Sequence, residues 1–213
     1  MSIYSKILEV QDLKKVYGKD ENKTIALKGI TFDVLSGEFL GIMGASGSGK
    51  TTLLNCITTI IKPTSGKILL NGENLGSFRG KKLADYRGNR IGYLFQDFEL
   101  LDNLTGRENI LLPLSIHGLN VEESVDKLFA IAKYLEIEEV LNKFPAQMSG
   151  GQKQRVAAAR ALISKPDMIL ADEPTGALDT KSAKILMDKL KGLNQDEKAT
   201  ILMVTHDPNA ASY

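Results

Sequence analysis

The chain has 213 residues, 43% of them hydrophobic and 25% charged, with a formal net charge of +1. That suits one large globular domain and excludes a bulk electrostatic pull toward nucleic acid or an anionic membrane. Its one cysteine, Cys56, excludes an internal disulfide and is expected as a buried small residue early in a helix, in a reducing compartment.

In chain order, KILEVQDLKKVYG alternates apolar and polar residues and predicts a strand that ends in a turn at Gly18. TIALKGITFDVLSGEFLGIMG predicts two strands around a turn at Ser36–Gly37. The second, Phe39–Met43, is nearly all apolar and is expected to be buried on both faces of a parallel sheet. TSGKILLNGENL predicts another short strand, so the opening third is β-rich. The apolar run Ile91–Phe95 is a further strand, ending at Gln96. Residues 97–150 then read as a helical insertion, in which Val121, Val125, Leu128, Phe129, Ala132 and Leu135 share one face at helical spacing and are expected in the core. The last third returns to alternation: a buried strand in KPDMILADEP, an amphipathic helix in TKSAKILMDKLKGLNQ with Ile185, Leu186 and Leu190 inward, and a buried strand in ATILMVTHD. Strands ending in polar residues and alternating with helices predict an α/β fold with a doubly wound sheet and its site at the strands' carboxyl ends. No apolar run long enough to span a bilayer occurs, and the N-terminal segment lacks the layout of a secretory signal. A cytoplasmic chain is expected, held at any membrane by a partner.

GASGSGKTT comprises Gly44, Ala45, Ser46, Gly47, Ser48, Gly49, Lys50, Thr51 and Thr52, and matches the phosphate-loop pattern between a buried strand and a helix. Glycines let backbone N–H groups turn around phosphates, Lys50 reaches the β- and γ-phosphates, and the Thr51 hydroxyl suits Mg²⁺. MILADE delivers Asp172 to the same metal and Glu173 to the attacking water as general base. AQMSGGQKQRVAAARAL places a second anion-type helix N-terminus about a hundred residues later. Taken singly, Gln96 reads as a solvated strand end, His206 as structural and Tyr17 as packing.

Together and in this order, GASGSGKT, FQD, MSGGQ, ILADEP, GALD and THD resemble the ATP-binding cassette (ABC) ATPases over nearly the whole chain. The resemblance implies a phosphate-loop NTPase fold with an N-terminal antiparallel β subdomain. The α/β core would comprise residues 1–96 and 151–213, and the helical lobe residues 97–150. It implies ATP hydrolysis with Mg²⁺, Gln96 sensing metal and attacking water, His206 on the γ-phosphate, Asp179 in the D-loop and Tyr17 stacked on adenine. It also implies a homodimer in which Ser149, Gly150, Gly151 and Gln152 of one subunit close over ATP held by the other.

LTGRENILLPL and ADEPTGALDTKSA resemble the branch of lipoprotein-release, macrolide-efflux and bacitracin-type peptide-resistance ATPases. That implies a transmembrane permease partner that keeps the chain on the inner face of the cell membrane. Its coupling helix would be received by Asp97–Leu114, with Phe98, Leu100 and Leu101 as groove floor or, equally, lobe core. Met148 stands where the family most often has Leu, a swap of similar volume. Family members continue with further strands and a helical tail past the position of Tyr213. A soluble ABC ATPase acting on nucleic acid or ribosomes would be expected to carry coiled-coil insertions or tandem cassettes. A binding module without catalysis would not be expected to keep Lys50, Asp172, Glu173 and His206.

Overall fold

The computed structural model describes residues 5–19, 22–118 and 124–213. Strands β1 (Lys6–Tyr17), β2 (Thr24–Leu35), β4 (Ser65–Leu70) and β5 (Glu73–Asn74) form an antiparallel sheet in the order β2-β1-β4-β5. Strands β3 (Phe39–Met43), β6 (Ile91–Leu94), β7 (Met168–Asp172) and β8 (Ile201–Thr205) form a parallel sheet in the order β3-β8-β7-β6. The turn after β2 therefore hands the chain from one sheet to the other. Around them lie α1 (Lys50–Ile57), α2 (Gly80–Asp85), α3 (Gly106–Ile116), α4 (Val125–Tyr134), α5 (Gly150–Leu162), α6 (Thr180–Glu197) and α7 (Pro208–Ala211). Among the described residues no helix is long and apolar enough to cross a membrane.

The parallel sheet separates two cores, and the two-residue period of its strands decides which side chain enters which. Met168 and Leu170 of β7 and Leu202 and Val204 of β8 pack with α1 and the antiparallel sheet, among Leu8, Leu27, Leu54 and Tyr86. Ile169 and Ala171, with Ile201 and Met203, face the helical side and meet Ile110, Leu128, Val156 and Leu186. All five residues of β7 are buried, and so are all five of β8. Truncating one of these leucines to Ala is expected to cost about 2–5 kcal/mol. Cys56 is buried as expected, at 1% exposure.

The helices begin where local chemistry starts them. Thr105 with Glu108 and Ser149 with Gln152 form capping boxes at α3 and α5, each satisfying N–H groups that a helix start leaves open. Asp179 caps α6.

Two expectations are corrected. β3 does not lie buried on both faces: it is one of the two edge strands of the sheet, and Met43 is 57% exposed. The apolar run suited a parallel strand, but which strand takes the edge is set by non-local pairing. Leu128 and Ala132 on α4 and Leu135 just past its end are buried while Phe129 is 48% exposed, because a residue next to Leu128 stands about 100° around the helix from it. Val125 is half-buried, and Val121 lies outside the described residues. Ile185 on α6 is half-buried beside the buried Leu186 and Leu190. Sequence periodicity also gave no sign of the five-residue π-helical turn Tyr86–Arg90, whose Tyr86 hydroxyl donates to the Ile57 carbonyl at 2.5 Å.

Candidate functional site

Parallel register brings four segments to one edge of the sheet. Met43 pairs with Thr205, Asp172 with Val204, and Leu94 with Ala171. The residues that follow, Gly44, Gln96, Glu173 and His206, therefore emerge together. The Gly44 N–H donates to the Thr205 carbonyl at 3.2 Å and starts the loop into α1. Gly49 closes that loop at φ +94°, and a Cβ there would lie 2.4 Å from the Ala26 carbonyl oxygen of β2, so only glycine fits. No side chain caps α1, which leaves its first N–H groups for an anion. Ala45, Ser46, Gly47 and Ser48 are exposed and Thr52 is half-buried.

Lys50 and Glu173 meet at the centre. Lys50 Nζ donates to the Gly44 and Ala45 carbonyls at 2.7 and 3.0 Å and lies 3.3 Å from Glu173 Oε1. Glu173 has φ +48°, a left-handed conformation costing about 1 kcal/mol or more in a residue with a side chain. Interactions hold it there: Oε2 accepts from the His206 backbone N–H at 3.1 Å and the Thr205 hydroxyl at 3.4 Å, and lies 2.6 Å from His206 Nδ1. The His206 ring is thus set against the carboxylate. Phosphate oxygens beside the loop would compete with this carboxylate for both Lys50 and His206, freeing it to accept a proton.

Asp172 stands alongside, 8% exposed. Its Oδ1 accepts from the Thr51 hydroxyl and its Oδ2 from the Tyr93 hydroxyl, both at 3.3 Å. Burial pushes the Asp172 carboxyl above the usual carboxylate range, and the bonds from Thr51 and Tyr93 pull it back. Burial also raises the Tyr93 hydroxyl, so it stays a donor. Asp172 and Thr51 offer the hard oxygen donors that a Mg²⁺ shared with phosphates requires. Gln96 does not join them: it is exposed on the rim with its amide against Gly176, where a Cβ would lie 3.1 Å from Gln96 Nε2.

The second helix N-terminus is separate from the loop. Ser149 Oγ accepts from the Gln152 N–H at 3.2 Å, and Gln152 Oε1 accepts from the Ser149 N–H at 2.9 Å. The Gln152 amide also donates to Glu139 at 3.0 Å. The N–H groups of Gly150 and Gly151 have no partner within the helix, and the Ser149 hydroxyl keeps its proton to donate. Around Gly150 and Gly151 stand Phe98, Ala177, Leu178, Arg155 and Ser182, none from the phosphate loop. Met148 is buried, as the Leu it replaces would be.

Asp179 spends both oxygens locally, Oδ1 on the N–H groups of Lys181 and Ser182 and Oδ2 on the Ser182 hydroxyl. The backbone bond from Ser182, with the others, holds its carboxyl below the usual range. Tyr17 ends β1 opposite Thr24, two residues before the Ala26 that packs on Gly49. It is 39% exposed, with Lys15 Nζ 5.0 Å from its ring centroid.

A groove of about 600 Å³ opens on the other side of Tyr93, between β6, the π-helical turn and α3. Tyr93, Phe95, Glu99, Leu112, Pro113 and Ile116 line it. Phe98, Leu100 and Leu101 are not part of its lining: Arg160 donates to the Phe98 carbonyl at 2.9 Å, Asn109 ties Leu101 back through both its backbone groups, and Leu100 packs against the core on the helical side, the lobe-core alternative.

Three polar residues that the sequence reading passed over belong to the neighbourhood: Tyr93, Thr205 and Gln154. Tyr93 was one member of an apolar run. Gln154 carried a findable signal, a polar residue on the same helical face as Gly151, Ala158 and Ala161, all buried.

Residues 27–176 match the ABC transporter family. The chain is 52% identical over 207 residues to the bacitracin export ATP-binding protein BceA of Halalkalibacterium halodurans, covering 97% of this chain and 82% of that one. It superposes on the dimeric structure of MJ0796, an ABC transporter cassette, with TM-score 0.87 and 40% identity, covering 96% and 90% of the two chains. A post-hydrolysis structure of the same cassette with ADP and Pi gives TM-score 0.86. The chain belongs to the ABC transporter family and is one of its ATP-binding and ATP-hydrolysing subunits.

Proposed function

We propose that the chain is the ATPase of a bacitracin-type antimicrobial-peptide resistance transporter, working as a nucleotide-sandwich homodimer beneath a transmembrane permease. The observation that carries the dimer is the separation of the two anion sites. The Ser149 turn keeps two N–H groups and a hydroxyl proton unspent, yet its neighbours are not the phosphate loop of its own chain. A second copy would supply the γ-phosphate. The MJ0796 dimer and the likeness to the bacitracin export protein support this reading.

In this proposal the N–H groups of Gly44 to Thr52 wrap the phosphates, and Tyr17 offers its open face to adenine. Thr51 and Asp172 would hold the metal, and Gln96 would have to turn in from the rim to reach it. Bound Mg²⁺ would neutralise phosphate charge as a Lewis acid. Lys50 exchanges Glu173 for the β- and γ-phosphates. Glu173, so released, takes the proton of the attacking water, and His206 moves from the carboxylate to the γ-phosphate. Asp179, which caps α6 and bonds the Ser182 hydroxyl set against Gly151, lines the seam between the copies. Residues 1–96 and 151–213 act as the nucleotide core and 97–150 as the helical lobe. The groove beside Pro113 receives the permease's cytoplasmic helix, so the chain sits on the inner membrane face through that partner.

Mixed dimers carrying one Ser149→Ala subunit test action in trans: the lesion should silence the site whose phosphate loop belongs to the other subunit. Loss confined to the site whose phosphate loop lies in the mutant subunit would refute it. Co-purification with a permease and stimulation of ATPase by bacitracin-type peptides test the branch. Stimulation by RNA or ribosomes instead would favour the soluble alternative.

A further inference from the structure

The buried amide of Gln154 has no part in the site described so far. Gln154 lies on α5, five residues after the Ser149 cap and so about 7.5 Å along the helix. It is 0% exposed. Its Nε2 donates to the Phe95 carbonyl at 2.9 Å and to the Pro174 carbonyl at 2.8 Å. Phe95 directly precedes Gln96, and Pro174 directly follows Glu173. One –NH₂ group thus ties the ends of two neighbouring strands, β6 and β7, to the helix whose N-terminus carries Ser149. Both acceptors are carbonyls, so the amide orientation follows from the bonds. Oε1 then faces the interior with no partner among the described residues. Such a buried orphan is unfavourable, and an apolar residue of similar size would avoid it.

We propose that Gln154 is a positioning residue that couples the two nucleotide sites of the homodimer, by tying the helix that meets the partner's ATP to the backbone on which its own Gln96 and Glu173 ride. The inference rests on the sandwich reading above. Helix α5 is well packed: Val156, Ala157 and Ala159 are fully buried. It therefore moves as a rigid element when Ser149, Gly150 and Gly151 engage a phosphate. Arg160, further along the same helix, holds the Phe98 carbonyl at 2.9 Å and also bonds that of Glu99. The segment after Gln96 is thus tethered to α5 a second time. Through Gln154 the helix bonds the Pro174 carbonyl, so loss of that amide falls hardest on Glu173. A side chain that merely plugs two carbonyls would matter for stability alone; a coupling side chain matters for how one site reports to the other.

The test compares wild type with Gln154→Leu and Gln154→Met, which fill the space without an amide. Wild type should hydrolyse ATP with a Hill coefficient above 1. In both variants it should fall yet stay above 1, because ATP-driven dimerisation is itself cooperative in ATP, with kcat lowered about 10-fold. ATP-analogue affinity at protein concentrations below dimerisation should stay within about 2-fold, and ATP-driven dimerisation should persist. Folded variants with wild-type Hill coefficient and kcat would overturn the coupling and leave the sandwich standing. A wild type that never dimerises with ATP would overturn both. Should the variants fail to fold, hydrogen exchange on wild type decides. Dimerisation must slow exchange at residues 95–97 and 173–176 together with 149–154, and unchanged exchange at the first two segments refutes the proposal.

Discussion

Replacing Glu173 by Gln should change two quantities in opposite directions. The side chain keeps its shape and one acceptor oxygen, but that oxygen can serve Lys50 or His206 and not both. Gln cannot take a proton from water at neutral pH, so turnover should fall about 10²–10⁴-fold, which is about 2.7–5.4 kcal/mol on the barrier. The second effect comes from the pair the carboxylate makes with Lys50 at 3.3 Å, with side chains only 9% and 12% exposed. At an effective dielectric of about 20 the gross attraction is about 5 kcal/mol. Desolvation of both charges cancels most of it, leaving about 1 kcal/mol net. ATP must displace this partner to recruit Lys50, so Glu173→Gln should bind ATP about 5-fold more tightly. Single-turnover hydrolysis measures the first quantity, and equilibrium binding of a non-hydrolysable analogue to the monomer measures the second. Unchanged turnover would remove Glu173 as base. Weaker analogue binding would show that the Lys50–Glu173 pair does not compete with phosphate.

Lys50→Ala removes a charge-assisted donor and should weaken nucleotide binding about 10- to 100-fold or abolish hydrolysis; tight binding with normal turnover would sink the phosphate-loop assignment. Tyr93→Phe deletes the bond to Asp172 Oδ2 while keeping the ring stacked on Phe95, whose centroid is 4.2 Å away. It should raise the Mg²⁺ needed for half-maximal ATPase about 10-fold with the melting temperature little changed, and an unchanged Mg²⁺ titration would refute the orienting role. Lys127→Met tests pH dependence. Burial pushes the Lys127 ammonium down to about 8 from the ordinary 10.5. Below that value the folded chain carries the full penalty of a buried ammonium. Between about 8 and 10.5 it sheds a proton that the unfolded chain keeps, so stability rises with pH. Urea midpoints should therefore rise for wild type from about pH 7 to about pH 9.5 and stay flatter for Lys127→Met; parallel slopes would contradict this.

What the sequence disclosed and what it hid divide along contact range. GASGSGKTT, ILADE, SGGQ and THD are legible because each is a strand end or helix start whose backbone geometry needs particular residues in a row. Gly49 fits only as glycine, and Ser149 with Gln152 closes a capping box three residues long. The site's internal wiring is set by segments far apart in the chain. Thr51 and Asp172, 121 residues apart, were paired through shared metal chemistry, which sequence reasoning can supply. Tyr93 and Asp172, 79 residues apart, share no such chemistry, so the tyrosine looked like one more apolar strand residue. The same holds for β3, whose composition specified a parallel strand but not its place at the edge. It holds again for Gln96 and Glu173: their identities were readable, while Gln154 showed only as a polar residue on a buried helical face, with no sign that its amide ties the adjoining Phe95 and Pro174 carbonyls to α5. Glu173 shows why this matters for mechanism. Its motif assigns a base, but the fold places that base in a left-handed conformation with both oxygens engaged by Lys50, His206 and Thr205. Ligand competition for those partners, and not the carboxylate's presence alone, then sets when the site can act.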